Sequence, residues 1–437
     1  MFPNPAIVNS IEKLGYQVSV GDVAASAGLE INQAQQGLLA LASVAGGHLQ
    51  VSESGEIAYL FPQNFRSILR NKNWRLRWQE WWAKVWHILF YLIRISFGIV
   101  LIISIFLMLA TIAILIITVQ SQSDSDNNSG GSNNSSSGGF FLPRFWFSPD
   151  IFWLFDPGYS NRYSRRQKGS HSASSENKLS FLAAVFSFLF GDGNPNHDLE
   201  ERRWQDIGTV IRNHGSAVIA EQIAPYLDEI EVGTLENEDY MLPVLTRFNG
   251  YPEVSPQGQI IYYFPELQIT ATRREKETVP AFLREKLWIF SQASQGQTTL
   301  AICLGIANFV LALSLGFLLQ NSTVSGGLVA FVDSIYWFLL GYGTAFLTIP
   351  LIRYVWIQLR NKAIKARNQK RSQLVAILEH ADEVIQHKIA YAEQFASQKV
   401  ISEDNLAYTT QKDLISQEIA NSDQIDEEWQ RRLESNS

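Results

Sequence analysis

Apolar and polar positions follow a helical and then a strand-like spacing over residues 5–62. Apolar residues recur every three to four positions in three segments and then alternate with polar residues in two more. The predicted elements are helices over Pro5–Leu14 and Val20–Ala27, a third helix from an N-cap at Asn32 to Val44, and strands over His48–Ser52 and Glu56–Phe61. Three helices followed by a hairpin are typical of a winged helix. We therefore predict a winged-helix-like α+β module over residues 1–65.

This pattern returns in the second half of the chain. Ile7, Ile11, Gly15 and Val18 are matched at an offset of 200 by Ile207, Ile211, Gly215 and Val218. Residues 51–62 are matched at an offset of 203 by residues 254–265, including the glycine, tyrosine, phenylalanine and proline of the hairpin. Such a register indicates a duplicated unit. We predict a second winged-helix-like module over residues 199–270.

Three long apolar stretches follow a different pattern, with almost no polar interruption. They cover residues 88–119, 298–319 and 328–352, and about 20 apolar residues suffice to span a bilayer. The expected fold is therefore a membrane protein with α-helical transmembrane segments, two modules related by an internal repeat, and a C-terminal helical tail. That tail, residues 353–437, begins with seven cations between Arg353 and Arg371 and is expected to face solvent.

Residues 66–87 combine tryptophan with cations ahead of the first span. The candidate membrane-interface residues are Trp74, Trp78, Trp81, Trp82, Trp86, Arg75 and Arg77. Tryptophan favours the headgroup level and arginine attracts anionic lipid. We expect an interfacial helix that binds membrane lipids, although a tryptophan-rich internal core is an alternative.

Residues 120–198 complicate the topology. Residues 120–139 contain only serine, asparagine, glycine, glutamine and aspartate and predict a flexible linker. Residues 140–198 begin with an aromatic stretch, Phe140–Phe155, which we interpret as an interfacial or re-entrant segment. Cations flank the modules at residues 66–84 and 273–286, and cation-rich loops are cytoplasmic. Both modules should then lie on the cytoplasmic face. Either the chain returns across the membrane between residues 120 and 200, or the stretch of residues 88–119 enters the membrane and comes back on the same side.

Local charge argues against nucleic acid as a partner. The whole chain carries a net charge of −7. Residues 1–62 hold five acidic residues and Lys13, and residues 200–267 hold twelve acidic residues and four arginines. Nucleic-acid affinity depends on cations that neutralise phosphates. We therefore expect protein partners and no nucleic acid.

The chain carries no recognisable catalytic, cofactor or metal motif. Cys303 is the single cysteine, the seven histidines are scattered, and no phosphate-binding loop, nucleophile elbow or zinc-protease motif occurs. We expect no cofactor and no enzymatic activity. Within the spans, Asn308 and Asp333 are the candidate intramembrane polar residues, and Ala301, Gly305, Ala312 and Gly316 have the small-residue spacing of closely packed helices.

Several motifs resemble a known family. They are Leu179–Phe190, the following Gly191-Asp192-Gly193-Asn194-Pro195-Asn196, Leu199-Glu200-Glu201-Arg202-Arg203-Trp204, and Tyr262-Tyr263-Phe264-Pro265. The chain resembles cyanobacterial integral membrane proteins that have chloroplast relatives, which implies a thylakoid or plasma membrane. Plant members carry an iron–sulfur cluster biosynthesis label, but one buried cysteine cannot hold a cluster that needs several thiolates.

Two functional hypotheses follow. The first is a non-enzymatic membrane-anchored scaffold or assembly factor, whose acidic modules bind proteins at the cytoplasmic face. The alternative is a small transporter or channel component built on the hairpin of residues 298–352. A transporter needs a polar path through its spans, and only Asn308 and Asp333 are candidates for one.

Overall fold

The chain forms two compact units in a computed structural model. The structure describes residues 4–123 except Asn73, and residues 180–417 except 229, 231–232, 234, 274, 322–325 and 402–405, together with residues 419, 422 and 429. The first unit, here called the module unit, comprises Met1–Gln79, Pro195–Lys286 and Ala363–Ser437. The second, the membrane-helix unit, comprises Glu80–Asn194 and Leu287–Lys362. The predicted re-entrant segment 140–155 and most of the predicted linker 120–139 lie outside the described residues.

The first module consists of four helices and a small antiparallel sheet. Its elements are α1 (Pro5–Lys13), β1 (Gln17–Ser19), α2 (Val20–Ala27), α3 (Ile31–Ala45), β2 (His48–Ser52), β3 (Ile57–Leu60) and α4 (Phe65–Lys72). Strand β3 lies between β1 and β2 and pairs with both. These bounds agree closely with the apolar spacing of the sequence, since the spacing reflects which side chains reach the core.

Local capping fixes α2, but α3 begins differently from our expectation. The Ser19 hydroxyl accepts from the Asp22 N–H while the Asp22 carboxylate accepts from the Ser19 N–H, a reciprocal capping box. Asn32, predicted as the N-cap of α3, instead lies inside its first turn. The N-cap is Glu30, whose side chain makes no capping hydrogen bond. Burial of Ile31 in the core, rather than a polar cap, therefore sets the start of this helix.

The second module has the same order of elements with one strand added at its end, and its helices after the first are shorter than those of the first module. It comprises α7 (Leu199–Asn213), β4 (Ala217–Val218), α8 (Ala220–Ile223), α9 (Leu242–Phe248), β5 (Tyr251–Val254), β6 (Ile260–Tyr263), α10 (Pro265–Gln268) and β7 (Ile269–Thr270). Strand β6 lies between β4 and β5, as β3 lies between β1 and β2. The Gln222 side chain accepts from the Ile219 N–H, at the position equivalent to Asp22 and Ser19.

The two modules share one hydrophobic core. Buried residues of both modules form a single cluster that includes Ile11, Leu38, Ile207 and Phe264. Helix α2 packs directly on α7, and a Cβ added to Gly208 would lie 2.8 Å from the Ala25 Cα. A larger side chain at this crossing would separate the helices, because close-packed backbones leave no room for one.

The C-terminal segment is part of this fold. Helix α12 (Gly327–Glu379) is followed by α13 (Glu383–Glu393), β8 (Lys399–Val400) and β9 (Leu406–Thr409). Strand β9 pairs with the edge strand β2, and β8 pairs with β7. Ile401 is buried. This differs from the solvent-facing helical tail that we expected. An edge strand offers unpaired backbone groups, and the tail satisfies those of β2.

Long apolar helices dominate the membrane-helix unit. They belong to α5 (Trp74–Ser123), α11 (Gln295–Asn321) and α12, while α6 (Phe181–Phe190) is a shorter apolar helix. Among the described residues, three helices are long and apolar enough to cross a membrane. Each of the three predicted spans lies inside one of them. Helix α6 packs against α11 with Phe181, Val185 and Phe188 buried, and its ten residues reach only about half the thickness of a bilayer.

Candidate functional site

The candidate recognition helix of the first module exposes a neutral face. Its side chains there are Asn32, Gln33, Gln35, Gln36, Leu39 and Ser43. Every residue of α3 is described, and none of them is a lysine or arginine. Leu39 is 55% exposed. Amide groups with an exposed leucine suit contact with a protein and offer nothing that neutralises a phosphate.

The equivalent helix of the second module, α9, carries one cation, which is already bound. Arg247 donates from Nε and Nη2 to the Gly28 carbonyl oxygen at 2.9 and 2.7 Å. Its guanidinium also lies 4.3 Å from the centre of the Trp204 ring. Arg247 therefore joins the two modules, while Leu242 on the same helix remains 60% exposed.

A fully buried carboxylate marks the junction of the modules. Asp22 Oδ1 accepts from Arg212 Nη2 at 2.8 Å, and Oδ2 accepts from the Ala271 N–H at 2.9 Å. The side chain of Asp22 has no exposed surface, so these partners replace the water that it loses. Sequence reasoning missed this junction. The Ser19-x-x-Asp22 capping spacing could have marked Asp22, but nothing local marks Arg212.

A second buried charge cluster joins α13 to the second module. Lys388 Nζ lies 2.8 Å from Glu221 Oε1 and 2.7 Å from Glu238 Oε1, and the Tyr262 hydroxyl donates to Glu238 Oε2 at 2.6 Å. Burial lowers the pKa of Lys388, but the hydrogen bonds and charges of the two glutamates outweigh it, so the pKa is raised. Burial, and then the bond to Glu238, raise the pKa of Tyr262. Lys388 is thus held as an ammonium ion between two carboxylates.

A groove opens beside this cluster. Its volume is about 820 Å³, and it lies between α9, the β5–β6 hairpin and α13. Apolar walls come from Leu242, Leu245, Ile260, Val384 and Ile385. Glu236, Asp239 and Asp382 line it together with Glu221 and Glu238. The groove therefore combines apolar walls with carboxylates, and sequence reasoning missed it because its walls come from separate parts of the chain.

Two arginines that follow the third span form ion pairs within the module unit. Arg367 donates to both carboxylate oxygens of Glu285 at 2.8 and 2.6 Å, and Arg371 lies 3.0 Å from Glu285 and 2.6 Å from Asp228. Burial raises the pKa of Glu285, but the bonds and charges of the two arginines outweigh it and the pKa is lowered. These cations therefore stabilise the module unit.

The described tryptophans of the predicted interfacial helix are exposed. Trp78, Trp81, Trp82 and Trp86 are 52–56% exposed on α5. They therefore do not form the internal core that was the alternative. The side chains of Trp74, Arg75 and Arg77 lie outside the described residues.

The intramembrane polar residues occupy different surroundings. Asn308 is buried and donates from Nδ2 to the Ser104 hydroxyl, which joins α11 to α5. Asp333 is exposed on α12, so the structure does not bring the two together.

The small residues of α11 lie at its contact with α12. A Cβ added to Gly305 would meet the Phe346 ring at 2.5 Å. Cys303 is exposed on this helix, which corrects our interpretation of it as buried. A position within an apolar run can face outward from a helix when its neighbours in space are lipids. Among the described residues, no group of three or more histidine, cysteine, aspartate or glutamate side chains could hold a metal ion.

Comparison with known proteins finds a relative that matches nearly the whole chain. The chain is 37% identical to the uncharacterized chloroplastic protein At5g03900 of Arabidopsis thaliana, over 98% of this chain and 81% of the Arabidopsis protein. No protein-family model and no solved structure matches the chain.

Proposed function

The chain belongs to the same family as the Arabidopsis chloroplast protein, and from that premise we propose that it is a membrane-anchored, non-enzymatic scaffold or assembly factor. Its two acidic modules would bind partner proteins beside a thylakoid or plasma membrane. The relative's chloroplast location and the three apolar helices favour such a membrane. The modules would lie on its cytoplasmic face.

The two modules would share a winged-helix fold. The shared order of elements and the shared position of the central strand support this assignment. In an experimental structure, residues 5–62 should superpose on residues 205–265 over three helices and a hairpin. A superposition that aligned the hairpins but not the helices would refute a common fold.

The neutral exposed face of α3 carries the proposal. A winged helix that binds DNA presents cations along its recognition helix, whereas this face presents amides and Leu39. Burial of Leu39 against a partner would remove a large apolar side chain from water. A protein surface is the occupant that suits such a face.

Co-purification from native membranes tests the proposal. The tagged full-length chain in mild detergent should retain a stoichiometric protein partner, identified by mass spectrometry, and Leu39→Asp should reduce its recovery. Asn64→Asp is the matched control, since it adds the same charge at an exposed position outside α3. Salt-sensitive binding of duplex DNA by the full chain, or recovery of no stoichiometric protein, would overturn the proposal.

A further inference from the structure

We propose that the groove between α9, the β5–β6 hairpin and α13 binds a basic amphipathic helix of a partner protein. This inference rests on the proposed scaffold function and specifies the chemistry of one partner. It concerns a surface formed by the second module and α13, separate from the α3 face of the first module.

The walls of the groove are apolar enough to accept one face of a helix. Leu242 on α9 is 60% exposed and Val384 on α13 is 53% exposed, and both line the groove. An amphipathic helix presents apolar side chains at positions i, i+3 or i+4, and i+7, which insert into such grooves. A volume of about 820 Å³ accommodates several side chains, as in pockets that enclose a small ligand.

The charges of the groove select a cationic partner. Five carboxylates line it, from Glu221, Glu236, Glu238, Asp239 and Asp382, against the single ammonium of Lys388. Lys388 neutralises part of the charge of Glu221 and Glu238. Glu236 and Asp239 have no ion-pair partner within the described part of the chain. Complementary charge of this kind selects one partner over another.

Two buried acceptor atoms point to the same conclusion. Glu221 Oε2 and Gln259 Oε1 accept no hydrogen bond from any described residue, and both residues line the groove. A buried acceptor that lacks a donor is costly. Lysine and arginine carry only donors, so a basic helix would supply what these atoms lack. Lys388 shows that the Glu221 carboxylate already accepts an ammonium from within the chain.

Site-specific photo-crosslinking in native membranes tests the inference. The probe is p-benzoylphenylalanine, placed in the full-length chain at position 384 in place of Val384. Mass spectrometry of the cross-linked product should identify a partner segment with lysine or arginine on one helical face and apolar residues on the other. The same probe at position 39 is the matched comparison, because the side chain of Leu39 is 55% exposed and that of Val384 is 53% exposed.

Charge variants of the groove provide a second test of the inference. Combined Glu236→Gln and Asp239→Asn should reduce the yield from position 384 by about fivefold, because complementary charge promotes association. Combined Glu53→Gln and Glu201→Gln removes the same charge from exposed positions outside the groove and should leave the yield unchanged. An equal reduction by both pairs, or cross-links to acidic segments or lipid, would overturn the groove inference. Loss of cross-links at position 384 alone would refute the groove but not the scaffold, whereas loss of protein cross-links at both positions would refute the scaffold.

Discussion

Arg212 of the second module donates a 2.8 Å hydrogen bond to the carboxylate of Asp22 in the first module. Asp22 is completely buried, and the Arg212 side chain is 13% exposed. This pair lies where α2 crosses α7, so the charge of one module is neutralised by the other. The two modules are therefore not independent domains. They share one core and one buried ion pair.

Arg212→Met should strongly destabilise the module unit. The substitution leaves the buried Asp22 carboxylate without its cation, and breaking a buried pair costs about 3 kcal/mol or more. Chemical denaturation of the full chain in detergent measures the change. The double variant Asp22→Asn/Arg212→Met should recover part of the loss, because it leaves no unpaired charge.

Arg66→Met is the control for this prediction. It breaks the exposed pair with Glu12 and should cost under about 1 kcal/mol. Equal losses for the two arginines would contradict the assigned role of the junction.

Stability should fall in acid partly through Glu285. Its pKa is lowered in the fold by Arg367 and Arg371 against the opposing effect of burial, so its contribution is present above the unfolded pKa of about 4.3. That contribution is lost as the pH falls through the folded pKa. Glu285→Gln should destabilise the chain at neutral pH, with a smaller difference from wild type near about pH 3. The difference in denaturation midpoint between wild type and Glu285→Gln, followed from neutral to acidic pH, measures this effect. A difference that does not change with pH would show that the charge of Glu285 is not responsible.

Removal of β9 should expose the edge of the first module. The Thr410 N–H donates to the Leu49 carbonyl oxygen at 3.0 Å, and the Leu49 N–H donates to the Thr410 hydroxyl at 2.9 Å. A chain that ends at residue 401 should exchange the Leu49 amide hydrogen faster, since that amide loses its acceptor. A chain that ends at residue 417 keeps β9 and is the control. Unchanged exchange in the shorter chain would mean that β9 does not cover β2 in solution.

The equivalent edge strand of the second module carries a proline. At the offset of the repeat, Leu49 corresponds to Pro252 on β5, and proline has no N–H to offer an incoming strand. The edge of β2 is thus covered by the tail, and the edge of β5 lacks a donor at this position. Within the described residues, the tail adds its strand to β2 and not to β5.

Cysteine labelling should place both modules on one side of the membrane. In a Cys303→Ser background, Ser54→Cys and Gln257→Cys should resist an impermeant maleimide on intact cells, while Ser129→Cys in the predicted linker should react. Gln257 is exposed, whereas the nearby Ser255 is buried and would report poorly. Reaction at position 257 but not at position 54 would be incompatible with the packing of α2 on α7. Lysed cells, in which the cysteines at positions 54 and 257 should be labelled, control for accessibility.

Features carried by contiguous residues could be predicted from the sequence. The bounds of α2 and β2, the three apolar helices and the match between the hairpins follow from the local spacing of apolar side chains, because a helix or strand buries a fixed face. The neutral surface of α3 could be predicted for the same reason. The start of α3 could not, since packing of Ile31 outweighed the capping preference of Asn32.

The contacts that make up the candidate sites were decided by the tertiary structure. Asp22 and Arg212 are 190 residues apart, and Lys388 lies 167 residues from Glu221. No local pattern encodes such pairs. A charged side chain that is exposed to water is hydrated and needs no partner, and it needs one only when packing buries it. The sequence by itself determined the matched residues of the two modules, their acidic charge and the apolar helices. Only the fold decided which charges are buried together, where the tail adds its strand, and that a groove lies between α9 and α13.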